Sequence, residues 1–182
     1  MSGTLSLPLT SLAQSLGEQL LASREHVSTA ESCTGGGIAE AITRIAGSSA
    51  WFEVGFVTYS NQQKTRVLQV AEADLQRDGA VSQSVVESMA RGAQRLSGAH
   101  YAVAVSGVAG PGGGSVEKPV GTVWLAWAHG AQVQSGCWHF AGDRDAVRQQ
   151  TVQAALAGLL CVMEGQAAAT WQQWLNKHLP NQ

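Results

Sequence analysis

Thr29-Ala-Glu-Ser-Cys-Thr-Gly-Gly-Gly-Ile38 is the stretch that decides the fold. It reads as a strand that ends in small hydroxyl-bearing residues and runs through three glycines into an apolar helix. Such a junction leaves the first backbone N–H groups of the helix without partners, and glycine lets a ligand approach that backbone closely. It can hold an anion or an oxyanion. Ser32 sits at the turn, so a nucleophile and its oxyanion hole could come from one short segment, with Thr34, Gly35 and Gly36 as donors. The competing reading is a tight strand-to-helix turn with Ser and Thr as caps.

Outward from this junction the apolar periodicity alternates between strand and helix. Leu12, Leu16, Leu20 and Leu21 predict an amphipathic helix over Ser11–Arg24, followed by a strand at His26–Glu31. Ile38, Ala39, Ile42 and Ile45 predict a helix over Gly36–Ile45, and Trp51–Tyr59 reads as an aromatic, β-branched strand. Ser60 is placed as the N-cap of a helix reaching about Val70, and Ser82 as the cap of a helix over Gln83–Leu96. His100–Ser106 is a run of small apolar residues, as expected of a strand covered on both faces. Gly121–His129 and Gln132–Phe140 form a hairpin at Gly130-Ala131, Asp143 opens a long helix to about Glu164, and Ala167–Leu179 is a last helical segment. The expectation is a single domain over 1–182, with a core at about 11–165 and a C-terminal extension at about 167–179. Its class is α/β, a three-layer α/β/α sandwich on a mixed, mostly parallel sheet.

Composition narrows the function classes. Apolar residues make up 45%, charged residues 13%, and the net charge is −2. The eight arginines and three lysines form no basic run, which argues against nucleic acid as partner. No apolar run reaches the roughly 18 residues of a membrane span, and Leu5–Leu21 lacks the charged start and continuous apolar core of a signal peptide. A cytoplasmic protein with no membrane partner is expected. Cys33, Cys137 and Cys161 lack metal-ligand spacing and read as reduced thiols, Cys33 as a small buried residue rather than the nucleophile.

Three loops fall at strand ends, where open α/β sheets bind ligands: the Ser32 turn, the Tyr59 junction and the glycine loop after Ser106. Ser106-Gly-Val-Ala-Gly-Pro-Gly-Gly-Gly-Ser115 is too glycine-dense for a core element. It has no Gly-Lys-Ser/Thr of a phosphate-binding Walker loop, and the dinucleotide fingerprint also fails at Ser32. In Phe56-Val-Thr-Tyr-Ser-Asn-Gln-Gln-Lys64, Tyr59 ends a strand and Lys64 follows about one helical turn later, so both can face the Ser32 crevice. A desolvated lysine can serve as base to a serine hydroxyl. A solvated helix lysine is the alternative. Among the histidines, His100 and His139 stand as outside candidates for the base.

Several blocks, in order, resemble the CinA C-terminal-domain family. They are Thr29-Ala-Glu-Ser-Cys-Thr-Gly-Gly36, Gly47-Ser-Ser-Ala-Trp-Phe52, Gly55-Phe-Val-Thr-Tyr-Ser-Asn61 with Lys64, Gly79-Ala-Val-Ser82, Ser106-Gly-Val-Ala-Gly-Pro-Gly112, Lys118-Pro-Val-Gly-Thr-Val123 and Gly142-Asp-Arg144. The resemblance runs from Leu12 to about Leu160 and is strongest to the stand-alone nicotinamide-nucleotide amidases of bacteria. It implies hydrolysis of the carboxamide of nicotinamide mononucleotide to nicotinate mononucleotide and ammonia, a step of pyridine-nucleotide salvage. It also implies a serine mechanism with no metal and no cofactor, on Ser32, Tyr59 and Lys64, with either Tyr59 or Lys64 as the base.

Under that resemblance Arg144 is the candidate for the substrate phosphate, against an ion pair to Asp143 or Asp145. Ser48 and Ser49 are candidates for the ribose or phosphate, against a capping role. Ser106, with Gly107, is placed against the nicotinamide. Glu31 either orients a neighbour or accepts backbone hydrogen bonds, and Trp51 and Trp124 read as core. The longer CinA proteins carry an N-terminal molybdopterin-binding-like domain that this sequence does not include, so activity on ADP-ribose is not carried over. Self-association in the family implies a homodimer, and Trp171 and Trp174 offer either an interface or a helix folded on its own domain.

Overall fold

A computed structural model describes residues 6–178. Leu5 and Leu179, the ends of two segments read from the sequence, lie outside them. The chain runs α1 (Ser6–Ser23), β1 (Val27–Glu31), α2 (Gly37–Thr43), β2 (Phe52–Val57), α3 (Asn61–Leu68), α4 (Glu72–Asp78), α5 (Gln83–Ser97), β3 (Tyr101–Gly107), β4 (Thr122–His129), β5 (Gln132–His139), α6 (Arg144–Met163) and α7 (Trp171–His178). The five strands form one sheet in the order β2-β1-β3-β4-β5. β2, β1 and β3 pair in parallel, and β4 runs antiparallel to both β3 and β5. Four strands therefore point one way and β4 alone opposes them.

The central strands β1, β3 and β4 are buried on both faces, with alternate residues on each. Tyr101, Val103 and Val105 of β3 with Val123, Leu125 and Trp127 of β4 face a core completed by α1, α2, α6 and α7. Ala102 and Ala104 with Ala126 and Ala128 face the other side, where Leu68, Val85, Val86 and Met89 of α3 and α5 complete a second core. This is the expected α/β/α sandwich. Trp51 is buried in the first core and Trp124 packs against the second.

Most element boundaries agree within a few residues, and the departures have local causes. α1 begins five residues before the expected Ser11, because Pro8 lies in its first turn, where no N–H is needed. Between Val70 and Ser82 no element was read, yet α4 forms there. Its sequence Glu-Ala-Asp-Leu-Gln-Arg-Asp buries only Leu75 and carries no apolar period; Glu72 and Asp74 in the first turn and Arg77 in the last support it instead. Ser60 caps α3, accepting from Gln63 N at 3.3 Å. Ser82 occupies the N-cap of α5 without the expected capping bond, because its hydroxyl donates to Gly79 O at 2.8 Å.

Trp171 and Trp174 are 5% exposed and belong to the first core, with Trp171 tilted against Trp138 and Phe140 at ring separations of 6.3 and 6.2 Å. The terminal helix thus lies on its own domain. Gly92 lets α5 approach the last turn of α3: a Cβ there would stand 2.3 Å from Leu68 O. Gly92→Ala is expected to destabilise the fold by about 1–3 kcal/mol, as overpacking does, read as a lowered midpoint in thermal unfolding.

Candidate active site

β1, β2 and β3 are parallel, so Glu31, Val57 and Gly107 end at one edge of the sheet. The chain leaves β1 for β2 on one side and reaches β3 on the other. The C-terminal ends of β1 and β3 thus flank the point where the strand order reverses, which is where open α/β sheets form their crevice. Ser32 stands there, its N–H donating to Val105 O at 3.1 Å. Continuing the β1–β3 register places Ser106, 1% exposed, beside it.

Lys64 reaches Ser32 from α3. Its Nζ donates to Ser32 Oγ at 3.0 Å and to Thr58 O at 2.8 Å, and the residue is 1% exposed. Burial pushes its pKa below that of an ordinary lysine, against a smaller opposing effect of nearby Cys33, and among the described residues no carboxylate pairs with it. A lysine that can lose its proton, hydrogen-bonded to a serine hydroxyl, is an arrangement that can do the chemistry of a base beside a nucleophile. The solvated-lysine alternative is excluded. Cys33 is 6% exposed and burial pushes its thiol up to about 12, so it is a poor thiolate and a small core residue.

The turn after Ser32 is bound from within. Glu31 is fully buried and accepts from Thr34 Oγ1 at 2.6 Å, Gly36 N at 3.1 Å, Ile38 N at 3.0 Å and Ala39 N at 2.9 Å. Gly35 N donates to Ser32 O at 3.0 Å. The expected donors at Gly35 and Gly36 are therefore already engaged; they serve the turn, with φ of +59° and +98° that glycine adopts without strain. Among the described residues, the backbone N–H groups of Cys33 and Thr34 donate to no backbone carbonyl, and the Cys33 N–H lies against its own thiol.

Tyr59 is 59% exposed and does not touch the Ser32–Lys64 pair through a hydrogen bond. Its hydroxyl accepts from Arg144 Nη2 at 2.9 Å, while Arg144 Nη1 donates to Gly110 O at 2.8 Å. Arg144 thus ties the β2 junction to the glycine loop, and no ion pair forms with Asp143, which caps α6 by accepting from Ala146 N, or with Asp145. Asp145 instead lies 3.8 Å from Arg148. Arg148, one turn beyond Arg144, donates to Thr34 O at 2.8 Å. It was missed in the sequence because an arginine inside a long helix carries no mark of its distant target.

Ser48, Ser49 and His100 lie away from the Ser32 crevice, whereas Gly107 stands at the crevice end of β3. Ser48 and Ser49 lie in a 3-10 turn before β2, at the opposite end of the sheet, where Val27 pairs with Phe52 about 16 Å along β1 from Ser32 at a strand's rise per residue. They shape that turn, Ser48 O accepting from Trp51 N. Gly107 is a paired strand residue whose missing Cβ makes room for Val123 and Thr122 O. Neither histidine replaces Lys64: His100 begins β3 at the far end, its Nδ1 accepting from His26 N, and His139 faces Thr122 on the edge strand β5. A cavity of about 600 Å³ lined by Arg91, Arg95, His100 and His129 also lies at that far end, away from the Ser32 crevice.

The fold and the site together define an α/β protein with a serine–lysine pair in the crevice at the carboxyl ends of its parallel strands. The chain belongs to the CinA C-terminal domain family, which matches residues 9–163. It is 67% identical to the nicotinamide-nucleotide amidohydrolase PncC of Pseudomonas putida over 84% of this chain and 96% of that one. It is 51% identical to the protein of the same name from Escherichia coli K12, over 92% and 95% of the two chains. The crystal structure of the competence/damage inducible protein CihA from Agrobacterium tumefaciens has a TM-score of 0.83 at 44% identity, covering 86% of this chain and 96% of that one. Among the described residues no helix is long and apolar enough to cross a membrane.

Proposed function

We propose that this protein hydrolyses the carboxamide of nicotinamide mononucleotide to nicotinate mononucleotide and ammonia. The observation that carries the reading is the 3.0 Å hydrogen bond between buried Lys64 and Ser32. The names of relatives at 51–67% identity support the substrate.

In this reading neutral Lys64 takes the proton of Ser32 as Oγ attacks the carboxamide carbon. The N–H groups of Cys33 and Thr34 receive the oxyanion, an interaction whose loss costs about 3–4 kcal/mol in other hydrolases. Lys64 then gives its proton to the departing ammonia, leaving an ester on Ser32. Water, deprotonated by the same lysine, cleaves that ester and releases the carboxylate. Tyr59 and Arg144 act as one unit on the wall of the crevice, with the remaining guanidinium donors directed to the phosphate. Ser106 borders the nicotinamide end.

Ammonia release from nicotinamide mononucleotide by the purified protein, beside nicotinamide riboside and free nicotinamide, tests the reading. Turnover of the mononucleotide alone supports it, and no release from any of the three overturns it. Arg144→Ala is expected to raise KM for the mononucleotide roughly 10- to 100-fold, the loss of a charged hydrogen bond. An unchanged KM would move the phosphate to another residue.

A further inference from the structure

We propose that Glu31 and Arg148 form a two-sided clamp on Thr34 that aims the N–H groups of Cys33 and Thr34 at the reacting carbonyl. Both are then positioning residues, and the inference rests on the amidase reading of the same site. The turn between Ser32 and α2 contains Gly35 and Gly36, the residue type with the widest backbone freedom. Left to itself, such a turn would present its N–H groups over a range of directions. Preorganised donors are what an oxyanion requires, because reorganising them during reaction adds to the barrier.

Two independent tethers remove that freedom. From one side Glu31, a fully buried acid, takes the Thr34 hydroxyl at 2.6 Å. From the other, Arg148 donates to Thr34 O at 2.8 Å, a carbonyl that also accepts from Gly37 N at 3.1 Å. Acids are almost never fully buried unless held by partners, and every partner of Glu31 donates to it, the pattern of a carboxylate. Capping α2 accounts for the bonds to Ile38 and Ala39. It does not account for the Thr34 hydroxyl or for Arg148, both of which end on the residue directly after Cys33 and support no helix.

The test uses the full chain with Thr34→Val, which keeps the shape and removes the hydroxyl, Thr34→Ser, which keeps the hydroxyl, and Arg148→Met. Three quantities are read: kcat and KM for nicotinamide mononucleotide, the rate at which a fluorophosphonate labels Ser32, and the thermal midpoint. Thr34→Val and Arg148→Met are expected to lose roughly 30- to 100-fold in kcat with KM within about threefold, as when an oxyanion donor is misplaced. Labelling should fall in step, since the phosphonyl oxygen occupies the same place. Thr34→Ser should recover most of the loss. Wild-type kcat in Thr34→Val, a loss explained by the unfolded fraction, or a Thr34→Ser no better than Thr34→Val would overturn the clamp. A wild type labelled at Ser32 that releases no ammonia would overturn the amidase reading, and the labelling ratios would still decide the clamp. A wild type inert to both reagents overturns the clamp, having no oxyanion for it to serve.

Discussion

Ser32→Ala is expected to lower ammonia release from nicotinamide mononucleotide by at least about 10⁴-fold, the scale seen when a serine nucleophile is removed from a hydrolase. The loss should fall on kcat. The Ser32 hydroxyl lies at the end of β1 and, among the described residues, is bound there by Lys64 alone, so its removal leaves the sheet, the turn and the Tyr59–Arg144 wall in place. Binding of the mononucleotide, read as a raised thermal midpoint at saturating ligand, should persist in the variant. Residual turnover near the wild-type rate would transfer the nucleophile elsewhere, and the neighbouring thiol is no substitute, since burial holds Cys33 at about 12.

Lys64→Met should cost a comparable loss, about 10³-fold or more, because without a base the serine hydroxyl is almost wholly protonated near neutral pH. Lys64→Arg should not restore activity, since a guanidinium does not give up its proton. The pH dependence gives a second reading of the same residue. Burial lowers the Lys64 pKa in the folded state, so wild-type activity should rise with pH as the amine loses its proton, and Lys64→Met should lose that rise. Between the folded pKa and the 10.5 of an ordinary lysine the unfolded chain binds a proton that the folded chain lacks, so this group makes stability increase with pH across that window. The desolvation cost is fully present below the folded pKa. Lys64→Met should therefore unfold at a higher temperature than the wild type at low pH, with the advantage shrinking as pH approaches the upper end of the window. Thermal unfolding followed across pH settles the sign, and a variant less stable than wild type at every pH would show that the lysine is not held at a cost.

The two roles read as alternatives for Tyr59 and Lys64 separate on geometry. Both follow β2 within a few residues, and a linear reading has no means of ranking them. α3 turns Lys64 back under the sheet edge into contact with Ser32, whereas Tyr59 precedes the Ser60 cap and stays on the outer wall, where Arg144 meets its hydroxyl. Ser48 and Ser49 illustrate the opposite error. They stand in one of the blocks that resemble the family, but parallel pairing of β1 and β2 puts the chain entering β2 at the far end of the sheet.

The sequence by itself determined the alternation of strands and helices, the strand-turn-helix at 29–38, the β4–β5 hairpin and the convergence of three loops at one sheet edge. These follow from apolar period, glycine placement and parallel connection, all of which act over a few residues or through a general rule of sheet topology. It also supplied Ser32 and Lys64 as chemically matched groups. Tertiary structure alone decided that they touch, that Glu31 turns inward to hold its own helix, and that Arg144 and Arg148 arrive from the far end of the chain to meet Tyr59, Gly110 and Thr34. The distance between Arg148 and Thr34 along the chain is 114 residues, and no local preference of either residue specifies the other. Lysine burial is decided at the same level: the Lys64 side chain is an ordinary helix residue until the folded chain encloses it beside Ser32 and Thr58 O and removes the water that would keep it charged.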